Sequence, residues 1–260
     1  MCDNLSMRDI RKYTYCLENS IKKELKRPYG FGCVSYFTQG SHDDMDYKTF
    51  EASAKSITSS FIETNWSQIK DFRDLKNRGI VIEKNMFEAT KGINTHKGLI
   101  FLQLFLAYAY VFGVKWSDLE NFIRKFSTDL RDDYQKENKA IIWKENGLRD
   151  IRNYPLTGFK EIIDLVDLLS NKPMNDTRLT IFLIAHIDDT TTFHRSDLET
   201  LFYIQDKAKE ILEVEDRRVY EKEVKKLDDL YVNNRISSGG VADLFTTIRT
   251  LELLREDFYV

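Results

Sequence analysis

The sequence predicts an all-α fold in a single globular domain spanning residues 1–260, built around a buried central helix. Three observations predict it. Only 3 Pro and 11 Gly occur in 260 residues, so few positions force the chain to turn. Apolar residues recur at three- and four-residue spacing in one segment after another, which is the period of a helix packed on one face. No stretch of useful length alternates apolar and polar residues as a half-buried strand does. There is also no internal repeat and no linker.

The first helix is written in Met7, Ile10, Thr14, Leu17, Ile21 and Leu25. It ends near Arg27-Pro28-Tyr29-Gly30, because proline disfavours the helical region at the residue before it. Residues 31–40 read as a loop. A second helix follows on Tyr47, Phe50, Ala54, Ile57 and Phe61, with Asp43, Asp44 and Asp46 before or at its start. The next helix is expected from about Trp66 to Lys76, ended by Asn77-Arg78-Gly79, with a short one from Met86 to Ala89.

Gly92-Ile93-Asn94-Thr95-His96-Lys97-Gly98 is then a polar turn, and residues 99–112 form the most apolar run in the chain, broken only by Gln103. That run is too short to span a bilayer and suits a buried helix. Asn94 or Thr95 can cap it. Its first turn would present backbone N–H groups and the positive end of the helix dipole to a phosphate, beside His96 and Lys97.

Ser117-Asp118-Leu119-Glu120 reads as a capping box for the following helix, and residues 131–139 as charged, solvated surface. A loop-rich middle contains Gly147-Leu148-Arg149 and Gly158-Phe159. Further helices lie on Phe159, Ile162, Ile163, Val166 and Leu169, and over residues 180–187. His186-Ile187-Asp188-Asp189 and His194-Arg195 make a segment dense in polar groups after that buried helix. Ser196-Asp197-Leu198-Glu199 reads as another capping box. Two peripheral, highly charged helices follow, and Ser237-Ser238-Gly239-Gly240 opens the last helix on Ala242, Leu244, Phe245, Ile248, Leu251 and Leu254. Two glycines at a helix start let a backbone come close to a ligand.

Hydrophobic residues are 42% and charged residues 31%, ordinary for a globular protein. The net charge of −3 implies no broad basic surface, so nucleic acid is not an expected partner, while a local cluster of cations can still hold a small anion. Cys2, Cys16 and Cys33 are odd in number and lack metal-ligand spacing. They read as free thiols of a reducing compartment. Residues 1–11 carry no apolar core of a signal peptide. The expectation is a cytoplasmic protein with no membrane segment.

All four histidines, His42, His96, His186 and His194, fall in polar turns that abut apolar helices. Convergence of those turns would gather carboxylates (Asp44, Asp189, Asp243), cations (Lys97, Arg149, Arg195) and two helix N-termini. A metal–polyphosphate substrate needs such a set, since acids hold Mg²⁺ through oxygen while cations and N–H groups take the remaining phosphate charge. The chain has no P-loop, no dinucleotide fingerprint and no nucleophile elbow.

The central stretch through Phe101 is close to Gly-x-Asn-Thr-His-Lys-Gly-x-Ile-Phe. Gly40-Ser41-His42-Asp43-Asp44-Met45 is similar to Gly-Ala-His-x-Asp-Met, followed by Phe50 and Ser53. Gly147-Leu148-Arg149 with Gly158-Phe159 is similar to Gly-Ala-Arg with Gly-Phe, and Asp189-Thr190 with Arg195 to Asp-Thr-Asn with Arg-Gly-Gly. Ser238-Gly239-Gly240-Val241-Ala242-Asp243-Leu244 is similar to Pro-Gly-Gly-Ser-Ala-Asp-Leu. By these motifs, in order over nearly the whole chain, the sequence resembles the triphosphoribosyl-dephospho-coenzyme A synthase family, which makes the prosthetic-group precursor of citrate lyase and malonate decarboxylase acyl carrier proteins. It departs from the family in four places. Arg27-Pro28-Tyr29-Gly30-Phe31 replaces Pro-Lys-Pro-Gly-Leu-Val, Ile151 stands for a Glu, Thr191 for an Asn, and Ser196-Asp197 for Gly-Gly.

The resemblance implies transfer of the 5-triphosphoribosyl group of ATP to the ribose 2′-hydroxyl of 3′-dephospho-coenzyme A, with adenine released and Mg²⁺ expected. Asp44 and Asp189 are then the expected metal ligands or acid–base pair, with His42 and Asp243 as second choices. Asn94, Thr95, His96, Lys97, Gly98, Gly239 and Gly240, helped by Arg149 and Arg195, are expected to bind the substrate. Two alternatives stay open. One is a metal-dependent helical phosphohydrolase using His42-Asp43, His96 and Asp189, which needs several ligands on one metal. The other is a non-catalytic nucleotide-binding homologue, suggested by Ile151 and Ser196-Asp197. Oligomeric state is left open.

Overall fold

Helix periodicity carries through to the computed structural model, which describes residues 7–131 and 145–259. Those residues contain twelve α-helices and no strand. α1 (Ile10–Leu25) is capped by Asp9 and buries Tyr13, Leu17, Ile21 and Leu25. α2 (Tyr47–Ile62) opens on a reciprocal box in which Asp46 accepts the Thr49 N–H at 3.0 Å and the Thr49 hydroxyl accepts the Asp46 N–H at 3.3 Å. A 3₁₀ turn (Trp66–Gln68) leads to α3 (Phe72–Ala89).

α3 corrects the sequence reading. It starts six residues after Trp66 and runs unbroken through Gly79. A Cβ at Gly79 would lie 2.7 Å from Leu104 Cδ1, so the glycine brings α3 close to the next helix. Glycine costs a helix about 1 kcal/mol relative to alanine, and the packing along the rest of α3 outweighs that.

α4 (Lys97–Val111) is buried on every side except at Lys97, Gly98 and Phe101. Its central Gln103 is fully satisfied: Tyr13 Oη of α1 donates to Oε1 at 2.6 Å, and Nε2 donates to Thr247 Oγ1 at 3.0 Å. α5 (Trp116–Phe126) begins one residue earlier than the expected box, with Lys115 as an N-cap that makes no side-chain bond. Trp116 sets that start, since its ring is buried and its indole N–H donates to Asp167 at 3.1 Å.

The chain continues through α6 (Asn153–Leu156), α7 (Lys160–Asn171), α8 (Asp176–His186), α9 (Thr190–Arg195), α10 (Leu198–Leu212), α11 (Arg217–Asn233) and α12 (Gly239–Leu254), then a 3₁₀ turn (Arg255–Phe258). At the start of α10 the cap is Asp197, which accepts the Thr200 N–H at 2.7 Å. Ser196 instead turns back and donates to the Thr192 carbonyl at 2.7 Å, so the expected Ser-to-Glu box does not form. Of the predicted surface stretch 131–139, all but Arg131 lies outside the described residues.

α4 packs against α1, α3, α5 and α12, and α12 also packs along α1, α7 and α8. Two helices that are buried over most of their length therefore lie side by side at the centre, and the N-terminal first turns of both open onto one cavity. Among the described residues no helix is long and apolar enough to cross a membrane.

Candidate active site

The cavity holds about 960 Å³ and is walled by both helix starts, the loop at residues 42–45, the segment around residues 150–152, α3 and the start of α9. It gathers His42, Asp44, Asn94, Thr95, His96, Lys97, Gly98, Arg195, Gly239, Gly240 and Asp243 from well-separated parts of the sequence.

The α4 start is less open than its sequence suggests. Asn94 Oδ1 accepts the Lys97 N–H at 3.3 Å, although His96 is the N-cap residue and makes no side-chain cap bond. The Leu99 N–H donates to the carboxylate of Asp243, from α12. That carboxylate lies directly over Gly98, where any Cβ would collide with Oδ2. Thr95 does not cap. Its hydroxyl donates to Ser53 Oγ at 2.7 Å. Ser53 Oγ also lies 2.7 Å from His96 Nδ1. His96 is buried, edge-on to Phe50 with centroids 4.8 Å apart, and burial pushes its pKa down to about 3. It is a neutral imidazole throughout the physiological range.

Asp189, the expected metal ligand, is not presented to the cavity. It is instead the buried N-cap of α9: Oδ1 accepts from Thr191 N at 2.8 Å and from Thr192 N at 3.4 Å. The same oxygen reaches across to Gly240 N of α12 at 3.3 Å, and a Cβ at Gly240 would sit 2.9 Å from it. The close approach that Gly98 and Gly240 permit is thus to the carboxylates of Asp243 and Asp189, which tie the starts of α4, α9 and α12 together. Burial raises the pKa of Asp189. Burial, then the nearby carboxylates of Asp189 and Glu24, pushes Asp243 well above the ordinary carboxylate range.

At one rim, Arg195 Nη2 donates to His42 Nδ1 at 3.3 Å, so His42 Nε2 carries the proton and donates to Ser237 Oγ at 3.2 Å. Burial and Arg195 lower the His42 pKa. Asp44 is exposed beside it, 3.9 Å from Nδ1. At the other rim, Lys97 Nζ lies 3.2 Å from Glu83 Oε2 of α3.

One expected substrate-binding residue, Arg149, and two of the histidines are elsewhere. Arg149 faces a second cavity and pairs with Glu161 at 2.9 Å. His186 also lines that second cavity, and His194 is exposed. Sequence reading missed Arg152, which enters the main cavity and grips Asp150 through Nε (2.8 Å) and Nη2 (2.6 Å), as well as Ser237 and Glu83. The Asp150–Arg152 spacing was the one signal available for Arg152.

Residues 10–259 match the family model of the ATP:dephospho-CoA triphosphoribosyl transferases. The chain belongs to that family. It is 30% identical to a probable 2-(5″-triphosphoribosyl)-3′-dephosphocoenzyme-A synthase of Acinetobacter calcoaceticus, over 86% of this chain and 85% of that one. A protein of the same name from Photobacterium profundum is 28% identical over 86% and 82%. The 2-(5″-triphosphoribosyl)-3′-dephosphocoenzyme-A synthase of Haemophilus ducreyi is 25% identical over 86% and 82%. No solved structure matches the chain.

For a triphosphoribosyl transferase, the motif departures acquire physical content. Arg27 is buried and ion-paired with Glu24, donates to Thr180 Oγ1 at 3.1 Å and lies over the Phe245 ring at 5.0 Å, so it belongs to the core. Ile151 closes the cavity wall against Gly98. Thr191 packs against Gly239, where a Cβ would lie 3.2 Å from it. Two features count against the hydrolase alternative: Asp189, one of its ligands, is committed to backbone N–H groups, and among the described residues no three His, Cys, Asp or Glu side chains are grouped to hold a metal.

Proposed function

We propose that the cavity binds ATP and 3′-dephospho-coenzyme A together and transfers the triphosphoribosyl group at Asp243. The observation that carries this reading is the placement of Asp243: a carboxylate held over Gly98 between two helix starts, facing a cavity rimmed by Lys97, Arg152 and Arg195.

The reaction breaks the bond from the ATP ribose C1 to adenine and forms one from C1 to the acceptor hydroxyl, through an oxocarbenium-like transition state as in other glycosyl transfers. Adenine needs a proton as it leaves. A carboxyl whose pKa burial raises is better suited to supply it than an ordinary one, and burial raises the Asp243 pKa in that direction. The acceptor hydroxyl must lose a proton. His42 has both ring nitrogens engaged, so exposed Asp44 is the better base. Lys97, Arg152 and Arg195 would hold the triphosphate, with the Gly98 and Gly239 backbone adding donors.

Mg²⁺ binds nucleotides through phosphate oxygens and one or two carboxylates. The expected Asp44–Asp189 pair does not fit, because Asp189 is committed to backbone N–H groups. With Asp44 taken as the base, the ion would be held by the triphosphate oxygens and would supply charge neutralisation there. The acyl carrier protein pathway and a cytoplasmic setting complete the proposal, and buried free thiols at Cys16 and Cys33 are consistent with a reducing compartment.

The test is adenine release, followed by chromatography with ATP, Mg²⁺ and dephospho-coenzyme A. Adenine should appear only when the acceptor is present. Asp243→Asn should lower kcat by roughly 10²–10⁴-fold, the span of general acid catalysis, with the fold retained. Full activity in that variant would remove the acid role. Phosphate release would favour the hydrolase, and ATP binding without product the non-catalytic reading.

A further inference from the structure

Beside the main cavity lies a second one of about 400 Å³. Its floor is apolar, made by Leu165 of α7, Phe182 and Leu183 of α8, and Leu244 and Ile248 of α12. Its polar lining comprises Arg149, Tyr154 and His186 together with the acids Glu161, Asp164 and Asp188. The two cavities share a wall. α12 presents Asp243 and Thr246 to one side and Leu244 and Ile248 to the other, and Asp150 lines both. On either side of Asp150 stand Arg149, facing the second cavity, and Arg152, facing the first.

We infer that the second cavity seats the pantetheine arm of the acceptor; this rests on the transferase reading above. The acceptor has two chemically different ends. Its nucleoside must bring a ribose hydroxyl to C1 beside Asp243, so it belongs in the polar cavity. Its other end is a long uncharged chain with two amides and a thiol, joined through a diphosphate. An apolar pocket with a few polar groups at its mouth is what such a chain needs, whereas the adenine of ATP, which leaves from C1 beside Asp243, belongs to the polar cavity on the transferase reading. The diphosphate would cross the wall where Arg149 and Arg152 flank it. His186 can orient the amides. Its Nδ1 lies 2.8 Å from the Phe182 carbonyl, which can only accept, so Nδ1 carries the proton and Nε2 is left as an acceptor for an amide N–H.

The experiment compares dephospho-coenzyme A with ADP, the same nucleotide end without the arm, in the full chain and in Leu165→Trp, which fills the cavity from its partly open wall. The expected result is a rise of at least tenfold in KM for dephospho-coenzyme A, with KM for ATP and kcat/KM for ADP as acceptor unchanged. Equal effects on both acceptors, or none, would overturn the inference. If Leu165→Trp loses its helical circular dichroism, Leu168→Trp at the exposed lip carries the same comparison. Binding of dephospho-coenzyme A, ADP and free pantetheine is measured by calorimetry in parallel. A chain that released no adenine would end the transferase reading, yet would still reveal whether the arm adds affinity that Leu165→Trp abolishes. Pantetheine that fails to bind the parent chain, with dephospho-coenzyme A no tighter than ADP, would sink the inference by itself.

Discussion

His96 shows how a side chain's chemistry is set by its neighbours. The Thr95–Ser53–His96 hydrogen bonds hold the ring in place and burial fixes the neutral state, so the imidazole brings no charge to the cavity. The unfolded chain titrates histidine near 6.5. Between about pH 3 and that value the unfolded state binds the extra proton and the folded state does not, so stability rises with pH across that window and is lost on acidification. Asp189 and Asp243 act in the opposite sense, since their raised pKa values make the folded form the better proton binder just above the ordinary carboxylate range. A comparison with His96→Gln isolates the histidine: from pH 7 to pH 4 the parent should lose more thermal stability than the variant. Parallel curves would show that His96 is not buried as a neutral ring.

Most of these residues were legible as motifs, because polar turns against apolar helices stand out in any sequence. Their roles were less legible. Asp189 and Asp243 sit in similar Asp-bearing turns, yet one is consumed by N–H groups of its own helix and of a helix far along the chain, while the other faces the cavity. Spacing carries no information about which partner arrives from a distance. Arg149 and Arg152 make the same point, since a short step around one turn exchanges one cavity for the other.

Among the elements, the helix starts of α4 and α12 depend on small residues more than on caps. Gly98→Ala would drive a methyl into the Asp243 carboxylate, which is itself held by the Leu99 N–H. The variant should lose about 1–3 kcal/mol, the usual cost of overpacking, and should lose activity with it. Gly79→Ala offers the contrast. There the methyl meets only the tip of Leu104, 2.7 Å away, which can rotate aside, and alanine favours the helix by about 1 kcal/mol. Urea midpoints should therefore fall clearly for Gly98→Ala and move little for Gly79→Ala; the reverse order would mean that the helix approach is misassigned. Gly79 was misread as a breaker for the same reason, since its role lies in a contact with α4 that local sequence does not record.

Over the whole molecule, the core is joined to the cavity by a buried ion pair. Glu24 lines the cavity floor, and its partner Arg27 reaches Thr180 on α8 and Phe245 on α12. Removing one partner of a buried pair leaves the other uncompensated and costs about 3–5 kcal/mol. Arg27→Met should approach that loss in chemical denaturation. Adding Glu24→Met to it should recover much of the loss, because two apolar residues leave no stranded charge. A double variant no more stable than the single one would show that Arg27 acts through packing alone.

α1 lies along α12, so the first and last of the described helices are neighbours. During synthesis, α1 leaves the ribosome first and meets α2 soon after, but the α12 that lies along it is made more than two hundred residues later. At ordinary elongation rates that interval is on the order of ten seconds or more. The part of the α1 face that α12 covers, beyond what α2 and α4 bury, therefore stays open to chaperones and proteases for nearly all of that time. The cavity, whose wall includes the start of α12, can close only when that helix has emerged.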